Sequence, residues 1–263
     1  MFKKLIIVVT VIGSIVYAEP KMEYTISFLG MDMDYNEYDT QGTLLDSETS
    51  NFTDIAGAEF TYRFFLQNRD NLEFKITGVN GYSQYTGSYL NTNSNLIYGS
   101  VKGSTANTIY DLSFIYNMQK QIAFNTKLLG GLGLGYRFWR RELSSIQVED
   151  YSWYSLRTNI GVEYQYNNLR TAFILEYQYG IDPTMSATGF SQDFKLSSAN
   201  IVKLSFPLRY KISSRLDLTC EYSLEYQEIK ESNIVYDNAQ NGYVEPDSTA
   251  YNQYLKVGAI FKY

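Results

Sequence analysis

Alternation of apolar and polar side chains is the feature of this sequence that most limits its fold. Across residues 124–141 the even-numbered positions are mostly apolar and end in aromatic residues, whereas most odd-numbered positions are polar or glycine. Successive side chains of a β-strand point to opposite faces, so this period of two predicts a strand. An amphipathic helix would instead repeat its apolar residues every three or four positions.

The same alternation recurs along the chain and predicts ten strands. They cover residues 22–29, 55–65, 72–87, 108–116, 124–141, 156–166, 171–181, 202–212, 216–227 and 254–263. Short polar links at 67–71, 117–121, 167–168 and 213–215 alternate with longer connections at 34–52, 88–106, 142–150, 186–194 and 232–249. Such alternation is typical of an antiparallel up-and-down β-barrel with an even number of strands. The pattern slips near residues 78–81, so eight or twelve strands are the alternatives.

The charged residues indicate which face of these strands is polar. Most of them lie on one parity of the predicted strands. Around the link at 213–215, opposite charges share one face of two neighbouring strands: Lys203, Arg209 and Lys211 against Asp217, Glu221 and Glu225. The register pairs Lys211 with Asp217 and Lys203 with Glu225, as a closed polar interior requires. Aromatic strand ends are typical of membrane interfaces, so we expect an all-β transmembrane barrel whose apolar face meets lipid.

The N-terminus predicts export from the cytoplasm. Lys3 and Lys4 precede an apolar run over residues 5–16, and small residues follow near Ala18. The run is too short to span a bilayer and is typical of a signal peptide, with a membrane anchor as the alternative. We therefore expect a cleaved signal peptide at 1–18 and one barrel domain at 19–263.

The last eight residues carry the most specific motif. Lys256 is polar, Gly258 follows two positions later, and Phe261 and Tyr263 are aromatic. At this spacing the chain resembles bacterial outer-membrane β-barrel proteins with a C-terminal assembly signal. The resemblance implies docking on the barrel assembly machinery by strand addition. It also implies an outer-membrane location, in contact with lipid and lipopolysaccharide, with the loops outside and both mature termini in the periplasm.

The absence of histidine limits the enzymatic alternatives. In length and strand number the chain resembles the omptin proteases, but these rely on a histidine that this sequence lacks. Outer-membrane phospholipases and lipid A acyl-modifying enzymes also use histidine to activate serine or water. The single cysteine, Cys220, permits neither an intrachain disulfide nor a cysteine metal cluster. We therefore expect neither an enzyme nor a cofactor or metal.

Two functions without catalysis stay open. The predicted loop at 34–52 is acidic and lacks Lys and Arg; its carboxylates are Asp34, Glu37, Asp39, Asp46 and Glu48. An acidic rim attracts cationic partners and disfavours nucleic acid. This favours a monomeric surface protein with a structural or adhesin-like binding role, whose ligand the sequence does not identify. The alternative is a narrow porin-like channel, although small barrels are generally filled by their own side chains.

One arginine, Arg140, is predicted to lie on the outer face of the barrel. Arg140 points outward just beyond Phe138, which closes the aromatic end of its strand. A guanidinium at that level would meet the phosphate groups of lipopolysaccharide, so we predict a contact there. The alternative is an arginine that snorkels or faces the loops.

Overall fold

The computed structural model describes residues 22–66, 70–87, 98–237 and 239–263. The regular secondary structure of these residues is entirely β. No helix in the described ranges is long and apolar enough to cross a membrane. The predicted signal peptide lies outside the described residues.

Thirteen strands follow one another in the described part of the chain. They are β1 (Met22–Tyr38), β2 (Leu44–Thr49), β3 (Ile55–Phe65), β4 (Asn71–Gly87), β5 (Val101–Ala123), β6 (Thr126–Ser144), β7 (Gln147–Tyr166), β8 (Leu169–Ala187), β9 (Phe194–Lys211), β10 (Leu216–Ser232), β11 (Val235–Tyr236), β12 (Gly242–Tyr243) and β13 (Asp247–Lys262). β11 and β12 form a separate small hairpin.

The other strands close into a ring of ten positions. β13 pairs antiparallel with both β10 and β1. β3 pairs with the first half of β1, and β2 pairs with its last residues, so β2 and β3 together fill one position between β1 and β4. The ten-stranded antiparallel barrel predicted from the sequence is therefore confirmed. We call the rim where Met22 and Tyr263 exchange backbone hydrogen bonds the turn end, and the opposite rim the loop end.

The strands extend further toward the loop end than predicted. The prediction of one long loop over residues 34–52 is wrong, because β1 continues to Tyr38 and β2 begins at Leu44. Asp39 closes the tight turn between them by accepting N–H bonds from Gln41 and Thr43. The predicted loop at 142–150 also shrinks to a turn after Ser144. Asn- and Asp-rich segments remain in strands here because neighbouring strands satisfy their backbone groups.

An apolar belt surrounds the outside of the barrel. On β6 the outward side chains run from Leu128 through Leu132, which is 63% exposed, to Phe138. This is about the 9 to 11 residues that a tilted strand needs to cross a bilayer. Beyond the belt the outward residues become polar, as in Asp32 and Asp34 on β1. The loop-end part of the barrel therefore projects beyond the lipid.

The inside of the barrel changes character along its axis. The turn-end half is ionic, whereas the loop-end half is filled by an apolar interior plug of buried side chains: Met31, Met33, Tyr35, Ile55, Trp139, Tyr151, Trp153, Ile201 and Ile229. A uniformly polar interior was expected, and that expectation is wrong for this half. Where the strands leave the lipid, water covers their outer face, so their inner face can form an apolar core as in a soluble protein.

Candidate functional site

A buried carboxylate cluster lies on the loop-end side of the interior plug. It consists of four glutamates around one arginine: Glu37 on β1, Glu48 on β2, Arg141 on β6, Glu149 on β7 and Glu245 just before β13. Arg141 lies two residues beyond Trp139, and Glu149 lies two residues before Tyr151, so strand alternation points all four side chains inward. The same strand faces therefore build the plug and the cluster.

Arg141 is the centre of the cluster. Its Nη1 lies 2.6 Å from Glu37 and 2.9 Å from Glu149, and its Nη2 lies 2.7 Å from Glu48. The guanidinium also lies 4.4 Å from the centre of the Tyr35 ring, which places it within range of a cation–π interaction. Only 1% of Arg141 is exposed, so these contacts replace its hydration.

Glu245 joins the cluster through Tyr151. The Tyr151 hydroxyl donates to the Glu245 carboxylate and lies 3.3 Å from Glu149. Carboxylate oxygens of Glu37, Glu149 and Glu245 lie within 4.8 Å of one another. Three buried carboxyl groups are thus held closer together than free carboxylates would remain.

The carboxyl pKa values of the cluster are shifted in different directions. Burial, Glu149 and Glu37 raise the pKa of Glu245 well above the usual 4.5. Burial likewise raises the pKa of Glu149, although Arg141 opposes it. Burial alone would also raise the pKa of Glu48, but Arg141, Ser83 and Asn107 outweigh it and hold that pKa below 4.5. Arg141 therefore compensates Glu48 more fully than Glu149 or Glu245.

The surface around this cluster is strongly acidic. The described segments 31–54, 79–87, 98–107, 139–153, 182–199, 228–237 and 239–250 form the loop end beyond the belt. They contain 17 Asp and Glu residues against 5 Lys and Arg, a difference of −12, while the whole chain has a net charge of −6. The other described residues contain 13 Lys and Arg against 10 Asp and Glu, a difference of +3, so the two ends of the barrel carry opposite formal charge.

The residues of the predicted acidic loop do not stay together. Glu37 and Glu48 point into the barrel and are buried, with Glu48 at 0% exposure. Asp34 and Asp39 remain at the surface, and the Asp34 carboxylate accepts a bond from the Asn36 amide. Asp46 pairs with Glu37 on the inward face of β2 but stays partly exposed. The prediction of one exposed acidic loop is wrong, because three of its five carboxylates follow the inward parity of strands that extend through it and two of these are buried.

The predicted interior charges lie in the turn-end half and have several partners. Lys203 lies 3.9 Å from Glu225, which is closer to Arg137 at 2.8 Å. Asp217 pairs with Arg209 and Lys262. Lys211 faces Asp217 in register but is exposed at the turn end.

The remaining predicted charge, Glu221, belongs to a bridge through the last strand. It lies 3.1 Å from Lys256, whose Nζ also contacts Glu59 at 2.7 Å. Lys256, predicted as the polar position of the assembly signal, thus links two interior carboxylates.

A cavity of about 290 Å³ lies among these charges. Eight Lys and Arg side chains and eight Asp and Glu side chains line it, so its formal charges balance. Bidentate contacts such as Arg157 with Asp111, at 2.8 and 2.9 Å, satisfy much of this lining internally. The arrangement matches a barrel interior whose charges neutralise one another.

The other predicted positions lie on the outside of the barrel or at its closing seam. Arg140 points outward and donates twice to Asp150 at 2.7 Å, so this guanidinium already has a carboxylate partner. Its contact with lipopolysaccharide stays a prediction. A side chain at Gly258 would overlap the carbonyl oxygen of Ile26 on β1, so the closing seam needs glycine there. Phe261 and Tyr263 end the outward face of β13.

The sequence did not predict the plug, nor that Arg141, Glu149 and Glu245 meet in one buried site. One signal was present: the alternation inverts along the same strand. In residues 29–35 the odd positions become Leu29, Met31, Met33 and Tyr35, while the even positions become polar. An inversion of this kind marks the point where a membrane strand leaves lipid.

Comparison with known proteins identifies the architecture. No family model and no curated protein sequence matches the chain. The outer membrane protease OmpT from Escherichia coli is similar in structure, with a TM-score of 0.57 at 10% identity, over 93% of this chain and 96% of that one. OprG, an outer membrane protein of Pseudomonas aeruginosa, matches with a TM-score of 0.40 at 9% identity, over 93% and 95% of the two chains. Ail, the attachment invasion locus protein of Yersinia pestis, in complex with the heparin analogue sucrose octasulfate, matches with a TM-score of 0.35 at 14% identity, over 94% and 100%.

The likeness to OmpT extends over nearly the full length of both chains, and the apolar belt gives it a physical basis. Closed antiparallel barrels with an outward apolar band are the β-structures that span membranes. The chain therefore has the fold of a ten-stranded outer-membrane β-barrel.

Proposed function

We propose that this protein is a non-enzymatic surface protein that binds positively charged partners through the acidic loop end of its barrel. The observation that carries the proposal is the concentration of charge there, 17 acidic against 5 basic residues. A surface of one sign raises the local concentration of oppositely charged molecules and accelerates their association. In this proposal the loop end faces outward and both mature termini lie in the periplasm.

The interior of the barrel favours binding at the surface over transport. The plug packs Trp139 against Tyr151, with ring centres 5.2 Å apart, and both residues are almost completely buried. The path along the barrel axis thus passes from the ionic cavity into packed apolar side chains. A continuous hydrated pathway would require this packing to separate, which makes a narrow porin-like channel the weaker candidate.

The absence of catalysis is also part of the proposal. The chain has no histidine to activate a nucleophile or a water molecule. The carboxylate cluster contains two acids of raised pKa, Glu149 and Glu245. However, Glu37, Glu149 and Glu245 are each at least nine-tenths buried. A macromolecular substrate does not reach these side chains in the conformation described.

Binding of an oligolysine peptide to the folded protein in detergent tests this proposal, with an oligoglutamate peptide as the control. We expect the oligolysine affinity to fall with ionic strength. It should also fall when exposed loop-end acids are neutralised, as in a combined variant with Asp34→Asn, Glu142→Gln, Asp193→Asn and Glu231→Gln. Equal binding of both peptides, or an unchanged affinity in the variant, would contradict the proposal.

A further inference from the structure

The connection from β10 to β13 folds back over the loop-end mouth of the barrel. We call residues 233–246 the capping loop; all of it except residue 238 is described. Val235 inserts into the interior plug and is 1% exposed. At the base of the loop, Ser232 and Glu245 exchange two hydrogen bonds, at 2.9 and 3.0 Å. The capping loop is therefore anchored at two points, one apolar and one at the carboxylate cluster.

The hydrogen bonds of the cluster do not balance if every carboxyl group is ionised. The Nη1 atom of Arg141 has two hydrogens but lies within hydrogen-bond distance of four oxygens: Tyr35 Oη at 3.2 Å, Glu37 Oε1 at 2.6 Å, Glu149 Oε2 at 2.9 Å and Tyr151 Oη at 3.2 Å. The Tyr35 hydroxyl donates a hydrogen bond to Glu37 Oε1 at 2.6 Å. The cluster thus has more acceptors than donors.

Tyr151 shows where the missing donor belongs. Its hydroxyl contacts both Glu149 and Glu245 but has one hydrogen to give. When that hydrogen goes to Glu245, the 3.3 Å contact between Tyr151 Oη and Glu149 Oε2 lacks a hydrogen unless Glu149 carries a proton and donates it there. The same holds with the two glutamates exchanged. Arg141 and Gln147 donate to Glu149 in either case. A proton on one of the pair therefore completes the hydrogen bonding.

The charges of the cluster also require a proton on Glu149 or Glu245. Glu245 faces Tyr35 and Glu37 from β1, Arg141 from β6, and Glu149 and Tyr151 from β7. Glu48 from β2 contacts the same guanidinium of Arg141. With all carboxyl groups ionised, four negative charges would face the single positive charge of Arg141. Buried carboxylates that lack a compensating charge take up protons instead. The position of Glu245 in the capping loop couples this proton to the loop.

We propose that Glu149 and Glu245 form a proton-binding site that holds the capping loop closed, and that the loop is released as the proton leaves at higher pH. On release, the carboxyl O–H bond breaks, the proton passes to water, and both glutamates become carboxylates. Their repulsion beside Glu37 then drives Glu245 out to solvent. The raised pKa values of both acids agree with this direction.

The direction and size of the response follow from linkage. The closed loop binds the shared proton more tightly than the open loop does, where both acids meet water. Closure is therefore strongest near and below the ordinary carboxyl pKa of 4.5 and weakens as pH rises through the raised value. Release of one proton changes the opening equilibrium by up to about tenfold per pH unit.

Hydrogen exchange of the capping loop in the folded full-length barrel tests the proposal. Exchange of residues 233–246, corrected for the intrinsic effect of pH, should accelerate as pH rises above the ordinary carboxyl pKa of 4.5, by up to about tenfold per unit in the sensitive range. Glu245→Gln keeps a hydrogen-bond donor but does not ionise, so it should hold exchange slow throughout. Glu149→Gln should likewise reduce the pH dependence of exchange, and it replaces Glu245→Gln as the test if that variant does not fold. Glu231→Gln removes an exposed acid nearby and should behave like the wild type.

A second measurement reads the cluster itself. The two tryptophans of the chain, Trp139 and Trp153, both lie in the plug, and Trp139 stacks on Tyr151. Their fluorescence should change over the same pH range as loop exchange in the wild type, and should lose that change in Glu245→Gln. Exchange that does not depend on pH in the wild type would overturn the proposal. So would a pH response that Glu245→Gln and Glu149→Gln both retain. Neither result depends on whether the surface binds a cationic partner.

Discussion

Arg141 on β6 holds Glu48 on β2 through two N–H groups, at 2.7 and 3.1 Å from the same carboxylate oxygen. The two residues are 93 positions apart and almost fully buried. Ser83 donates to the second carboxylate oxygen at 2.5 Å, and Asn107 does so at 3.2 Å. This pair ties β2, the short strand beyond the lipid, to β6, three positions away around the ring.

Loss of the central guanidinium should strongly destabilise the loop end. Arg141→Met would leave several buried carboxylates without their cation, and we expect a cost of about 3 to 5 kcal/mol in the free energy of unfolding. Arg140→Met, one residue earlier, removes an outward-facing pair with Asp150 and should cost less than about 1 kcal/mol. Urea unfolding of both variants in lipid vesicles checks this, and equal losses would contradict the assigned burial.

The stability of the barrel should change with pH in opposite directions at Glu149 and Glu48. Glu149 has a raised pKa, so its contribution is present below 4.5 and is lost as pH rises through the raised value. Glu48 has a lowered pKa, so its contribution is present above 4.5 and is lost only in acid. Unfolding free energies of Glu149→Gln should therefore fall less with rising pH than those of the wild type. An identical slope in both proteins would remove Glu149 from the titrating group.

A charge within the apolar belt should be costly. Leu132 and Leu218 lie in that belt, where they are 63% and 50% exposed, and Leu132→Arg or Leu218→Arg should cost about 2 to 4 kcal/mol near the bilayer midplane. Ser152→Arg, outward on β7 beside Phe138, should cost no more than about 1 kcal/mol because it lies near the interface. Refolding titrations in lipid vesicles provide the comparison. If the three substitutions cost the same, the belt is placed wrongly.

The last residues should be required for assembly. Deleting residues 261–263 removes the backbone bonds between Tyr263 and Met22 and the pairing of Lys262 with Glu23, which close the ring. We expect loss of the folded form that resists boiling on gels, and loss of the protein from the outer-membrane fraction. Phe261→Ala with Tyr263→Ala keeps the backbone and tests the aromatic side chains alone. Normal insertion of the deletion would show that closure does not need these residues.

Much of the fold could be predicted from the period of two. Residues 124–141 gave the direction of each side chain on β6, including the outward course of Arg140 and the inward course of Arg137. The lipid-facing positions of β13, such as Leu255 and Val257, also follow from strand parity. These features are local, because they depend on the alternation within one strand or across one turn.

The site could not be predicted in the same way, because its members are far apart in sequence. Glu48 and Arg141 meet only because β2 fills part of one barrel position and β6 crosses to the same level. Glu245 reaches the cluster through the fold of the capping loop, which no strand pattern encodes. The acidic composition of residues 34–52 suggested a solvated loop, whereas strand parity buries Glu37 and Glu48 within it.

The conductance of the folded protein in a planar bilayer at neutral pH distinguishes a closed barrel from a channel. The interior plug, with Trp139, Tyr151 and Trp153 each at most 2% exposed, fills the loop-end half of the described barrel with packed side chains. We predict that the membrane conducts no current through the protein. Resistance to boiling on gels would confirm that the protein in the membrane has folded. Steady, discrete current steps would contradict the account and restore the channel as the function of the barrel.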